Sequence, residues 1–373
     1  MNTEKFKDAL YKPLTRKEVI AHIEGRGTTR PPFAATCVFY KPEGLSPEQE
    51  KIAWDLLKKY PDDIQGFSYV RPKNFGEPGE YCWCDVPGAD PSINRVGEVG
   101  IDEQTAIDWD IIEQIGENTP DPYAIQDMIV GNEEPDGRYR AVFWTRLCFE
   151  RLWHFRGMEN ALCDFYMYPD QVHKLLRKLL NVYKKAIDRA KEEYHADAWI
   201  MTDDIGMQNG PFFSEEIFVE FLKPIYKELI DYLHSKGMHM WLHTCGNVEL
   251  FIPHLIEIGL DVLHPIQKYT MDEERIMEKY GDQICIWAGM DVQRTLPFGI
   301  PEEVRQETRY MIENYYLPGK GRLILGPGNN MTVEDIPLSS IEAFMDESRR
   351  YGQQVVEQGK SGELYSPYKN KER

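Results

Sequence analysis

The chain has 373 residues, 42% of them hydrophobic and 28% charged, with a net charge of −19. This is ordinary globular composition, long enough for one large α/β domain or two smaller ones. The negative charge repels phosphate backbones and argues against nucleic acid as a partner. No apolar run is long enough to span a bilayer. The polar start, MNTEKFKDALYKPLTRKE, lacks the apolar core of a secretory signal. Cysteines 37, 82, 84, 148, 163, 245 and 285 are odd in number, which points to reduced thiols and a cytoplasmic location.

Thr15-Arg16-Lys17-Glu18 forms a capping box ahead of apolar Val19, Ile20 and Ile23, and predicts a helix. Residues 33–40 read as a short buried strand. Ser46-Pro47-Glu48-Gln49 opens a second helix, with Pro47 suited to its first position. The stretch 66–124, rich in Gly, Pro and aromatics, reads as a hairpin and a covering loop. A regular rhythm begins at residue 141. Strand 141–144 precedes a long amphipathic helix over 169–194. Strand 198–202 ends in Asp203-Asp204. A helix over 214–236 has Ser214 as N-cap, Gly237 at its stop and an expected kink at Pro224. Then come strand 239–242, helix 248–258, strand 262–266, helix 272–280, strand 285–288, a helix opened by Pro301, strand 322–325, and a last helix ending near Tyr351.

Strands and helices that alternate without hairpins require a parallel sheet. No Gly-rich dinucleotide fingerprint follows any strand. Polar residues instead follow nearly every strand: Asp203-Asp204, His243-Thr244-Cys245, Gln267, Asp291 with Gln293, and Asn329-Asn330. That distribution suits a barrel, which collects site residues from many strand ends. The expected fold is one α/β, (β/α)8 TIM-barrel domain over 1–373 with N-terminal helical and hairpin additions. Residues 1–30 would form a helical extension and 361–373 a frayed tail.

The sharpest chemical feature is His243-Thr244-Cys245. On an extended segment His243 and Cys245 point the same way and can grip one metal ion, for which zinc is the natural choice. The alternative is a packing pair at a strand end. Zinc needs a further protein ligand, for which Asp203, Asp204, Cys285 and Asn329 are candidates. Asp203 and Asp204 would either be raised in pKa or paired with a cation, or would serve as loop and helix caps. Cys82-Trp83-Cys84 has the wrong spacing for a metal knuckle and reads as structural thiols. No nucleophile elbow and no phosphate loop occurs.

Taken together, Met201-Thr202-Asp203-Asp204-Ile205-Gly206, His243-Thr244-Cys245-Gly246 and Asp261-Val262-Leu263-His264-Pro265-Ile266-Gln267 resemble the uroporphyrinogen decarboxylase superfamily. Phe149-Glu150-Arg151-Leu152-Trp153, Arg156-Gly157-Met158-Glu159, Gly289-Met290-Asp291 and Gly326-Pro327-Gly328-Asn329-Asn330 extend the resemblance over about 140–350. The superfamily fold is a (β/α)8 barrel. One of its chemistries is cofactor-free decarboxylation, in enzymes whose N-terminal F-M-R-Q-A-G-R motif holds substrate acetates. Pro31-Pro32-Phe33-Ala34-Ala35-Thr36-Cys37 stands there in this chain, without the arginines, so this reading ranks second.

The other chemistry is methyl transfer with a corrinoid protein, whose enzymes bind zinc through H-x-C and a later cysteine. Asn329 stands at that later position, which points toward members that demethylate methoxylated or methylamine-like compounds. The resemblance implies zinc on His243 and Cys245, with cobalamin supplied by a partner corrinoid protein. Asp203, Asp204 and Asp291 are the candidate catalytic acids, one of the first two completing the zinc site or giving a proton. Trp144, Arg146, Gln267, Gln293, Asn329 and Asn330 are candidates for binding a small methyl donor. Tyr81, Trp83, Trp109 and Trp153 join Trp144 as a candidate apolar wall. The resemblance also implies a homodimer. A barrel that has lost its chemistry and only binds a small molecule is the third reading.

Overall fold

The computed structural model describes residues 4–34, 46–69, 108–110, 112, 129–130, 134–144, 146–329 and 336–360. In chain order the main elements are α1 (Arg16–Ile23), α2 (Pro47–Lys59), β1 (Ile64–Tyr69), β2 (Ile129–Val130) and β3 (Tyr139–Trp144). Next come α3 (Phe149–Arg156), α4 (Met158–Met167), α5 (Pro169–Tyr194), β4 (Ala198–Thr202), α6 (Lys223–Ser235) and β5 (His239–His243). The series closes with α7 (Ile252–Glu257), β6 (Val262–His264), α8 (Glu273–Tyr280), β7 (Cys285–Met290), α9 (Pro301–Tyr315), β8 (Leu323–Pro327) and α10 (Leu338–Lys360). Most of the expected hairpin region, most of the expected strand 33–40, Cys82, Cys84, Asn330 and the tail lie outside the described residues. The chain divides into two compact units. One comprises 1–66, 133–141 and 261–373, the other 67–132 and 142–260.

In the second unit β4 and β5 pair in parallel, from Ala198 opposite His239 to Thr202 opposite His243. Every residue of β4 is buried, as expected of a parallel strand covered on both faces. Helix α5 keeps the predicted bounds. Val172, Leu175, Leu176, Leu179, Leu180, Tyr183, Ala186, Ile187 and Ala190 form its buried stripe at three- and four-residue spacing. Each of the Val, Leu and Ile side chains among them contributes roughly 1.5–3 kcal/mol on burial. Ser214 caps the following helix, as expected. The disturbance expected at Pro224 is a π turn over Phe218–Leu222. Proline has no N–H to give and its ring crowds the carbonyl four residues back, so the ladder widens just before it. Phe149 packs edge-on to Phe213, and Phe218 stacks on Phe251 at 4.4 Å, which joins α3 to the segments after β4 and β5.

The first unit repeats the pattern. β6, β7 and β8 pair in parallel, with Val262 opposite Cys285 and Ile286 opposite Leu323. Thr15 and Glu18 form the predicted capping box of α1, and Asp272 caps α8. Asp63, fully buried, accepts two bonds from Arg30 and one each from the N–H groups of Leu14 and Phe33. It thereby fixes the N-terminal segment. Phe33 forms an isolated parallel bridge with Leu325. The last helix continues to Lys360 rather than stopping near Tyr351, because Val355 and Val356 extend its buried face. Parallel strands alternating with helices in both units are the make-up of the α/β barrel class.

Candidate metal centre

The site is built from the segments that follow β3, β4 and β5. In a parallel pair, residues in register share a face. The observed register sets Thr202 beside His243 and, continued past the strand ends, Asp204 beside Cys245. Asp203 and Thr244 turn to the opposite face. Asp204, His243 and Cys245 accordingly bring one oxygen, one nitrogen and one sulfur within 4.8 Å of one another. His243 Nε2 lies 3.4 Å from Cys245 Sγ and 3.9 Å from Asp204 Oδ1. The Cys245 N–H donates to Asp204 Oδ1 at 2.7 Å, so this carboxylate is also anchored to the next loop.

Two glycines make that closeness available. A Cβ on Gly246 would sit 2.2 Å from the carbonyl carbon of Gly206, and Gly246 has φ +82°. A Cβ on Gly206 would sit 2.7 Å from the Cys245 carbonyl oxygen. The loops after β4 and β5 therefore touch backbone to backbone, and the Asn247 N–H donates to the Met207 carbonyl at 2.7 Å.

Around the three ligand atoms lies a group of acids. Glu150, at the start of α3, is pushed up to about 8 by burial and by the charges of Asp204 and Asp203. The Thr202 hydroxyl donates to its Oε2 at 2.6 Å. The Cys245 thiol is raised well above its usual range by burial, then by Asp204 and Glu150. His243 is lowered by burial against the pull of Asp204, which favours the neutral imidazole that binds metals. A divalent cation answers this crowding of negative charge. A carboxylate, an imidazole and a thiolate suit zinc. The residues present therefore fit such an ion, and of the candidate third ligands it is Asp204 that lies with His243 and Cys245.

Asp203 is fully buried and has a different setting. It accepts from the N–H groups of Cys148 at 3.1 Å, Phe149 at 3.1 Å and Glu150 at 2.7 Å, and from the Tyr226 hydroxyl at 2.6 Å. Burial pushes it up to about 6 against those four donors. Trp144 is 2% exposed and packs against Tyr183 and Trp199. Arg146 has a left-handed backbone at φ 64°, held by the Thr202 hydroxyl on its N–H and the Tyr183 hydroxyl on its carbonyl. Its charge acts on Glu150 and lowers that carboxyl. Trp153 and Phe212, edge to face at 6.0 Å, keep part of their rings open.

Gln267, Asp291, Gln293 and Asn329 belong to the other unit. Asp291 is buried and caps its own turn, accepting from the Gln293 and Arg294 N–H groups and from the Tyr269 hydroxyl. Gln293 is exposed, and Gln267 and Asn329 are half-buried. Cys285 is a fully buried thiol on β7. Sequence reasoning did not single out Glu150 or Tyr226 as site residues. The signal for Glu150 was its place in the Phe149–Trp153 run that carries part of the family resemblance.

The fold is of the α/β barrel class, and an oxygen, a nitrogen and a sulfur that could hold a metal ion gather after β4 and β5. The chain belongs to the uroporphyrinogen decarboxylase (URO-D) family, whose profile matches residues 154–351. It is 22% identical over 162 residues to the methylated-thiol–coenzyme M methyltransferase of Methanosarcina mazei. That match covers 43% of this chain and 41% of the relative, so less than half of each protein is compared. Among solved structures, a methyltransferase from Methanosarcina mazei superposes with a TM-score of 0.59 at 14% identity, over 91% of this chain and 99% of that one. At that identity the likeness establishes the fold. No helix among the described residues is long and apolar enough to cross a membrane.

Proposed function

We propose that this chain is a methyltransferase that moves a methyl group from a small methoxylated aromatic compound to a separate corrinoid protein, with zinc held by Asp204, His243 and Cys245. The observation that carries the reading is the gathering of those three ligand atoms within 4.8 Å at the strand ends. Zinc would act there as a Lewis acid on the ether oxygen, the atom that keeps both electrons when its bond to the methyl carbon breaks. The chain's own residues do the rest. Asp204 is held to the Cys245 backbone, so two of the ligands keep a fixed separation. The Thr202 hydroxyl holds the Glu150 carboxyl beside the same group of acids. Trp153 and Phe212 offer an apolar wall for an aromatic ring. Arg146, in its strained and doubly bonded backbone position, is a substrate-orienting residue.

The name of the Methanosarcina mazei relative supports methyl transfer. The carboxylate in place of a second thiolate favours an oxygen leaving group, because a harder ligand set suits a harder substrate atom. The test is metal analysis of protein purified without chelators, beside Cys245→Ala. About one zinc per chain, lost in the variant, is expected. Methyl transfer from methoxylated aromatics to an added corrinoid protein should then require that zinc. Protein that takes up no zinc even when it is added back would overturn the reading.

A further inference from the structure

We propose that Asp203 and Tyr226 are positioning residues that aim Asp204 at His243 and Cys245; this rests on the metal reading above. Helix α3 has no cap of its own, since its N-cap residue Cys148 makes no side-chain cap bond. Its first N–H groups are instead taken by Asp203, the residue that follows β4. An ordinary cap comes from the residue just before its helix and ties the helix only to itself. This one ties α3 to the segment that carries a metal ligand. The fourth donor, the Tyr226 hydroxyl, comes from α6. The backbone of Asp203 is fixed as well, because its N–H donates to the His243 carbonyl at 2.9 Å.

Side chains alternate along an extended chain. With Asp203 locked to the helices, Asp204 must leave on the opposite face, where it meets the Cys245 N–H. Rotation of the backbone at 203 would swing Asp204 away from the other two ligands. Thr202 works in the same sense one residue earlier. It accepts from the Arg146 N–H and donates to Glu150, holding the loop after β3 against the end of β4. The alternation of three consecutive residues thus splits the labour: Asp203 fastens the helices, and Asp204 faces the metal.

The experiment is Co2+ titration of the metal-free full chain, read by its thiolate-to-metal absorption and paired with thermal unfolding. The variants are Tyr226→Phe and Asp203→Asn. Tyr183→Phe is the control, for it removes a buried hydroxyl bonded to the Arg146 and Leu147 carbonyls instead of to Asp203. Expected is an affinity about 10-fold lower in Tyr226→Phe, and lower still in Asp203→Asn, with an altered cobalt spectrum. Tyr183→Phe should melt earlier but bind cobalt as the wild type does. If the Asp203 and Tyr226 variants bind with unchanged affinity and spectrum and only melt earlier, Asp203 is a helix cap and the proposal is overturned. Equal weakening in Tyr183→Phe also overturns it, since general loosening then accounts for the effect. A wild-type protein that binds no cobalt removes the metal reading itself, a result that separates the two failures.

Discussion

Replacing Gly246 by alanine tests the closeness of the two ligand loops. The new Cβ would lie 2.2 Å from the Gly206 carbonyl carbon, 2.3 Å from its oxygen and 2.7 Å from the Met207 nitrogen, whereas ordinary contact begins at 3.4 Å. All three neighbours are backbone, so no flexible side chain can yield. Holding alanine at φ +82° costs about 1–2 kcal/mol. Moving the loops apart breaks the 2.7 Å bond from the Asn247 N–H to the Met207 carbonyl, which costs about 1 kcal/mol more. Gly246→Ala should therefore lose about 2–3 kcal/mol in urea unfolding of the metal-free protein. Because Cys245 and Asp204 ride on the displaced loops, Co2+ affinity should fall about 10–100-fold. Gly210→Ala is the control, in the loop after β4 that Gly246 touches, where a Cβ meets nothing within 4 Å. Wild-type stability and cobalt affinity in Gly246→Ala would refute the reasoning, because the two loops could not then be in backbone contact.

Three further outcomes are expected. A carboxyl raised in the folded state binds more protons there than in the unfolded chain, so its share of stability is lost as pH rises from its unfolded to its folded pKa. For Glu150 that window runs from 4.5 to about 8. Metal-free Glu150→Gln should gain stability relative to the wild type as pH rises through it, and parallel pH profiles in urea unfolding would contradict this. Asp63→Ala strands the buried Arg30 and the N–H groups of Leu14 and Phe33, at a cost of about 3–5 kcal/mol in the same assay; a loss below about 1 kcal/mol would show that the hub is not needed. Asp204→Cys keeps the charge of the ligand set but exchanges oxygen for sulfur, so the Co2+ complex should gain a second thiolate band. An unchanged spectrum would remove Asp204 from the ligand set.

Local chemistry made the fold legible. Pro169 and the apolar spacing mark α5, and Thr15 with Glu18 marks the start of α1, since each signal acts within a turn of itself. Signals that depend on distant neighbours read less well. Gly352 looks like a stop after Tyr351, yet it lies inside α10. A Cβ there would meet Pro31 at 2.9 Å, so the glycine serves a close approach of chain segments far apart in sequence. Pro224 announced a disturbance, but the proline alone does not say that the ladder would widen in the turn before it.

The site was legible in its residue types and not in their directions. His243 and Cys245 share a face by parity alone, so that pair can be read from the sequence. Whether Asp203 or Asp204 joins them depends on the β4–β5 register, a relation between two strands that neither strand encodes by itself. A strand with one wet face would have revealed the parity through alternating polarity. Here β4 is buried on both faces, so Trp199 and Met201 look no different in pattern from Ile200 and Thr202. The direction of Trp144 is hidden for the same reason: β3 is buried along nearly all its length, and nothing in its pattern says that this ring meets Tyr183 of α5. The late cysteine expected of a methyl-transferring relative is an asparagine here, at position 329. Its replacement as ligand does not stand in the same segment, because ligand atoms need only converge in space. The candidate replacement, Asp204, stands just after β4, where the register sets it beside Cys245.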